Sequence, residues 1–221
     1  MNYLTQPLLN SEELEILITN LNKEKLLWED GKHTAGKHAA KVKNNLQLKR
    51  DSDLSKKFSR LITKKILSNE LIKSFAIPKR VHGTIFSKST KGMKYGRHID
   101  NAYMSSGRAD LSFTIFLSSE DKYEGGALLI ENLNSEEKFK LSAGEIIIYP
   151  STYLHSVEEV LDGERLVFIG WIESYVKSIE EREYLFDLDA AARSLLAKYG
   201  RSNEVDLIFK SYSNLLRRLG S

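Results

Sequence analysis

The sequence predicts an α+β protein whose mainly β core is held between N-terminal and C-terminal helices. The apolar period is helical before Pro78 and again after Glu173, whereas between them apolar residues alternate or run in short segments broken by turn residues. The length of 221 residues suits one domain with appended elements and is ample for a buried core. The expected organisation is a helical segment over 1–77 packing on the core, the core over 78–174, and a second helical segment over 175–221.

Asn10 and Ser11 offer an N-cap, Glu12 and Glu13 suit a first turn, and Leu14, Leu17, Ile18 and Leu21 recur at helical spacing, so a first helix is expected to about Leu27. Trp28 to Gly36 carries turn residues and little period, which predicts a loop, with His33 and His38 solvated in this polar region. Leu54, Phe58, Leu61, Ile62 and Ile66 predict a second helix from near Asp53, whose carboxylate suits the positive end, and it should stop before Pro78. Val81 to Phe86 predicts a strand, Lys88 to Arg97 a polar connection, and His98 the start of the next strand. Leu111, Phe113, Ile115 and Leu117 alternate with Ser112 and Thr114, the cleanest strand pattern in the chain. A turn at Tyr123 to Gly126, a strand at Ala127 to Glu131, a turn at Asn132 to Glu137 and a strand at Lys138 to Leu141 follow. The apolar run Ile146 to Tyr149 suits a buried strand that Pro150 stops. Asp162-Gly163 predicts a hairpin turn leading into a strand from Arg165 to Ile172. Beyond Glu173 an acidic helix through Leu185 and Leu188 to Leu196 is expected. A last helix should carry Val205, Ile208, Phe209, Tyr212, Leu215 and Leu216 on one side, an apolar stripe open to a homodimer.

The absence of cysteine excludes a disulfide scaffold, thiolate zinc sites and cysteine nucleophiles. Any metal must therefore be held by His, Asp, Glu or neutral oxygen ligands, and there are five histidines to search. No apolar run approaches the roughly 20 residues of a membrane span, and MNYLTQPLLN lacks the layout of a signal peptide, so a cytoplasmic protein without a membrane partner is expected. The net charge of +3 is unevenly spread: eleven Lys and Arg lie between Lys32 and Lys65 against Asp51 and Asp53. Such a run is by default a solvated helix face and its loop, which weighs against nucleic acid as a partner.

His98-Ile99-Asp100 carries the chemistry. In an extended strand His98 and Asp100 project to one face and Ile99 to the other. A second imidazole from a distant strand would complete a two-histidine, one-carboxylate set, which leaves open positions on a non-heme Fe(II) centre, and His155 is the candidate. Arg165, ten residues later, shares a strand face with Val167, Ile169 and Trp171, and a guanidinium on an apolar inner face calls for an anionic partner. A His-x-Asp triplet alone is weak evidence; the ensemble with His155 and an inward arginine is specific.

The segments TAGKHAAKVKNN, KYGRHIDNAYM, RADLSFTIFL, YEGGALLIE, KLSAGEIIIYPSTYLHSVEEV, GERLVFIGWIES and REYLFDLDAA together resemble the Fe(II) and 2-oxoglutarate dependent dioxygenases, and more narrowly the PKHD-type hydroxylases of the prolyl 4-hydroxylase-like group. The resemblance spans most of the chain. It implies a double-stranded β-helix, a jelly-roll or cupin-like barrel with the metal in its mouth. It implies His98, Asp100 and His155 as ligands of one Fe(II), and Arg165 as the partner of the distal carboxylate of 2-oxoglutarate. Enzymes of this kind often place a tyrosine about ten positions before the first histidine. Ser87-Lys88-Ser89 stand there in this chain, and Tyr95 is the candidate to border the cosubstrate. The implied reaction consumes O2 and 2-oxoglutarate and yields succinate, CO2 and a hydroxylated substrate, with ascorbate sustaining ferrous iron. That substrate is a protein residue or a small molecule such as a siderophore, with a possible link to iron uptake; the alternative is a non-catalytic iron-binding or iron-sensing protein that retains the triad. His82 is expected to be a hydrogen-bonded barrel histidine, and Arg108 and Asp110 to be structural or gating.

Overall fold

A computed structural model describes residues 3–23, 25–34, 36, 39–132 and 135–221. Strand β1 (Leu4–Pro7) precedes the expected first helix, α1 (Ser11–Lys23). Asn10 and Glu13 form a reciprocal capping box: Asn10 Oδ1 accepts from Glu13 N at 2.9 Å and the Glu13 carboxylate accepts from Asn10 N at 2.8 Å. The helix ends four residues earlier than expected, and Lys25–Leu27 forms a single 3₁₀ turn. The predicted loop after Trp28 is partly strand: β2 (Trp28–Asp30), 3₁₀ turns at Gly31–Thr34 and Ala39–Val42, then β3 (Lys43–Asn44) and β4 (Leu46–Leu48). These strands are two or three residues long, too short for a period to show. His33 is exposed as expected; His38 lies outside the described residues.

The second predicted helix is two, α2 (Asp53–Ser68) and α3 (Glu70–Ala76), because Asn69 leaves helical geometry and caps α3 through Oδ1 to Ile72 N at 3.0 Å. Strand β5 (Pro78–Thr90) then turns at Lys91-Gly92 into β6 (Lys94–His98), so the predicted connection from Lys88 is the end of one strand, a turn and most of the next, which belong to different sheets. Its apolar alternation is missing because Ser87 and Ser89 face a polar cavity rather than a core. The small hairpin β7 (Tyr103–Met104) and β8 (Gly107–Arg108) follows. After it come β9 (Leu111–Phe116), β10 (Tyr123–Gly125), β11 (Leu128–Glu131), β12 (Glu136–Phe139), β13 (Glu145–Pro150) and β14 (His155–Val157). The expected turn at Tyr123 thus contains a strand, and β12 begins earlier than predicted; Leu133 and Asn134 lie outside the described residues. The expected hairpin at Asp162-Gly163 does not form, since β15 (Val160–Ser174) passes straight through it. Gly163 holds φ 77° there because β10 lies alongside, and a Cβ would sit 2.2 Å from the Lys122 carbonyl oxygen. Helices α4 (Ile179–Tyr199) and α5 (Asn203–Leu219) close the chain.

The strands form an eight-stranded sheet in the order β1-β13-β9-β15-β5-β4-β2, with β10 on β15, and a five-stranded sheet β12-β11-β14-β6-β3. Residues before Pro78 therefore supply four strands to the two sheets, besides their helices. Period-2 alternation on β15 sends Leu166, Phe168 and Ile172 into a core shared with Leu17, Leu21, Phe58, Ile62 and Ile72 of the first three helices. Val167 points the other way, into a cluster with Phe116, Leu128, Ile130, Ile147 and Tyr149 that joins the sheets. The apolar stripe of α5 is used inside the chain: Tyr212, Leu216 and Leu219 pack against Ile77, Val176 and Leu185.

Candidate metal centre

His98 is the last residue of β6 and His155 the first of β14, and antiparallel pairing sets them directly opposite each other. Cross-strand partners have neighbouring Cβ atoms, so the two rings meet, with centroids 4.3 Å apart. Each ring is oriented from behind. His98 Nδ1 donates to Gly96 O at 2.8 Å and His155 Nδ1 to Tyr153 O at 3.0 Å, which leaves both Nε2 lone pairs free to coordinate. Burial, with the neighbouring His155, pushes the His98 pKa down to about 4, so this imidazole is neutral, the form a metal needs.

Asp100 lies just past the end of β6, so it does not share a strand face with His98 in the simple way the triplet suggests. Side chains place it instead. Asp100 Oδ2 accepts from Ser112 Oγ at 2.6 Å and from Trp171 Nε1 at 2.9 Å, and Ser112 in turn accepts from Ser151 Oγ at 2.7 Å. One ligand atom from each of His98, Asp100 and His155 lies within 4.8 Å of the others, a donor set of two imidazoles and a carboxylate able to hold a metal ion.

The three residues line a cavity of about 450 Å³ together with Arg165. Arg165 lies on the inward face of β15 with Val167, Ile169 and Trp171, as alternation predicts, and is 3 % exposed. Its guanidinium stands over the Phe116 ring, its Nε has no hydrogen-bond partner, and burial pushes its pKa down against the pull of Tyr123 and Tyr149. Among the described residues no carboxylate forms an ion pair with it. A buried, incompletely bonded guanidinium facing a cavity fits a bound carboxylate.

Tyr95 stacks flat on His98 at 3.6 Å, and burial raises its phenol pKa. His82 is hydrogen-bonded as expected, with Nε2 donating to Arg108 O and Nδ1 accepting from Ser106 Oγ, both at 2.8 Å. Arg108 and Asp110 are structural: Arg108 Nε meets Asp110 Oδ1 at 2.7 Å, and both side chains bind the backbone of Ser174 at the end of β15. The sequence reading missed Ser112, Ser151, Trp171 and Lys43, which surround the site. Ser112 had a signal: a hydroxyl on the inner face of a strand buried on both sides serves the cavity, not solvent.

The profile of the 2OG-Fe(II) oxygenase superfamily matches residues 84–173, the interval that holds all four residues. Among solved structures, a Pseudomonas putida prolyl-4-hydroxylase aligns over 78% of this chain and 92% of its own at 16% identity and TM-score 0.57. A Trichoplax adhaerens prolyl hydroxylase, solved with a hypoxia inducible factor peptide fragment, aligns over 83% and 86% at 15% identity and TM-score 0.55. At such identities the likeness shows the fold, the double-stranded β-helix. Fold and family profile together define a 2OG-Fe(II) oxygenase. The profile of the PKHD-type hydroxylase C-terminal domain matches residues 180–220. A PKHD-type hydroxylase of Prochlorococcus marinus strain MIT 9215 is 75% identical over 220 residues, and that of strain MIT 9312 is 72% identical over 221, each covering 100% of both chains. The chain belongs to the PKHD-type hydroxylases. Among the described residues no helix is long and apolar enough to cross a membrane.

Proposed function

We propose that His98, Asp100 and His155 hold one Fe(II), that Arg165 grips the distal carboxylate of 2-oxoglutarate, and that the enzyme hydroxylates a substrate admitted through the same cavity. The observation that carries this reading is the buried Arg165 guanidinium, with no hydrogen-bond partner at Nε, on the cavity that the ligand triad lines. An iron-sensing protein needs only the triad; a buried cation with no carboxylate partner among the described residues is costly and serves a cosubstrate. The bound iron supplies the oxygen chemistry, with ascorbate as the reductant that keeps it ferrous. The chain's own residues orient the pieces: the backbone carbonyls of Gly96 and Tyr153 hold the imidazoles in one tautomer, Ser112 and Trp171 fix the carboxylate, and Tyr95 walls the His98 side.

Anaerobic addition of 2-oxoglutarate to the Fe(II) protein tests the proposal. A visible charge-transfer band, followed by succinate on admitting oxygen, is expected. Arg165→Ala should retain iron and weaken 2-oxoglutarate at least about tenfold, as loss of a charge-assisted contact does. Absence of both band and succinate in the unmodified protein leaves the iron-sensing reading instead.

A further inference from the structure

The cavity holds more positive charge than the metal site and cosubstrate use. Among the described residues its charged lining side chains are Asp100 on one side of the balance and Lys43, Arg50 and Arg165 on the other. On the function proposed above, on which this inference rests, one carboxylate of 2-oxoglutarate matches Arg165, and the other, with Asp100, matches the metal. Lys43 and Arg50 are left over.

Lys43 is unusual for a lysine. It is 4 % exposed, on β3 opposite Tyr95 of β6, with Nζ 5.0 Å from the Tyr95 ring centroid. Among the described residues one of its three donors is used, at 3.3 Å, on the neutral hydroxyl of Thr34, whose own proton goes to Gln47 Oε1 at 2.5 Å. Among the described residues no carboxylate forms an ion pair with it; Asp30 and Asp100 attract it from farther away, and Arg50 repels it. Arg50 donates to the Gly83 carbonyl at 3.2 Å, a contact that neutralises no charge. Among the described residues no carboxylate in contact offsets the cost of bringing these two cations to one wall, whereas an anion between them would.

We infer that Lys43, with Arg50 toward the mouth, binds a carboxylate or phosphate group of the primary substrate, so that the enzyme acts on an organic anion. Lys43 and Arg50 come from the basic run before Lys65, so part of that run serves the cavity rather than solvent.

The test uses the full chain loaded with Mn(II) and 2-oxoglutarate, and three probes of one shape: benzoate, phenyl phosphate and benzamide. Paramagnetic relaxation of their ring protons reports both binding and nearness to the metal. At least one anion should bind at least about tenfold tighter than benzamide, and which one does so separates carboxylate from phosphate. Lys43→Gln should erase that preference and Lys43→Arg should keep it, while the anaerobic Fe(II) and 2-oxoglutarate band of Lys43→Gln stays at wild-type strength. Binding of benzamide as tightly as the anions, binding of no probe, or a preference that survives in folded Lys43→Gln overturns the inference. So does loss of the band in Lys43→Gln, which would make Lys43 a cosubstrate contact. If the unmodified protein gives no band, the reading of the centre fails by itself, and the probe comparison on the Mn(II) protein alone still decides the anion preference.

Discussion

Among the described residues Asp100 receives both of its side-chain hydrogen bonds on one oxygen, Oδ2, from Ser112 and Trp171, which pins the carboxylate plane and leaves Oδ1 unencumbered. Outer partners of this kind are worth about 10- to 100-fold in metal affinity. Trp171→Phe keeps an aromatic ring and deletes the donor, so Fe(II) affinity, read by anaerobic titration, should fall about tenfold while the fold melts nearly as before. Unchanged affinity would show that Ser112 suffices. His98 gives a pH signature in the metal-free protein. Its pKa is 6.5 when unfolded and about 4 in the fold, so between these values the unfolded chain binds more protons. Stability should therefore be full above about pH 6.5, fall on acidification through that window, and flatten below about 4. Melting curves of the metal-free protein and of His98→Gln across this range provide the check: the slope should shrink in the variant.

Trp171 reaches Asp100 because β5 carries a bulge opposite it. The β15–β5 register shifts between Ile169 and Trp171, and Gly83 takes φ 65° at the extra position. A Cβ there would stand 2.6 Å from Trp171 Cε3, so only glycine lets the indole lie over the strand. Gly83→Val should cost about 1–3 kcal/mol in stability through strain at positive φ. It should also weaken Fe(II) by displacing Trp171, and the double variant with Trp171→Phe should lose no more iron affinity than the worse single change. Additive losses would mean that Gly83 acts elsewhere. Elements of this kind mark what was legible in the sequence. Strands β9 and β15 and helices α1, α2 and α5 showed their periods, because each has an apolar face, and β13 showed as an apolar run because it is buried on both sides. Strands β2, β3 and β4 did not, being two or three residues long. The Asp162-Gly163 pair misled because positive φ serves a tight strand approach as well as a turn. Asn69 hid a helix break, since an asparagine caps one helix as readily as it sits on another's surface.

At the scale of the whole molecule, the cavity was legible in His98, Asp100, His155 and Arg165, which the fold brings together, and illegible in Lys43, Ser112 and Trp171, whose places depend on which walls meet there. The C-terminal helices show a second division. The cavity lining ends at Trp171, so neither α4 nor α5 touches the centre. They are tied to the barrel through α3: Asp189, 4 % exposed, accepts from Ser74 Oγ at 2.7 Å and from Arg193 Nε at 2.9 Å, and Phe186 meets Phe75 edge-on at 6.0 Å. Ser74 lies only four residues before the long strand β5, so loosening this contact acts on the scaffold and not on the ligands. Asp189→Ala leaves the Ser74 hydroxyl unpaired and should cost about 1–3 kcal/mol, lowering the melting temperature by several degrees. Iron and 2-oxoglutarate affinity, measured well below the melt, should stay within about twofold, since the Asp189 hydrogen bonds go to Ser74 and Arg193 and neither lines the cavity. A large loss of iron affinity at a temperature where Asp189→Ala is fully folded would mean that the C-terminal helices hold the centre in shape from a distance, and that the barrel is not a self-sufficient frame for it.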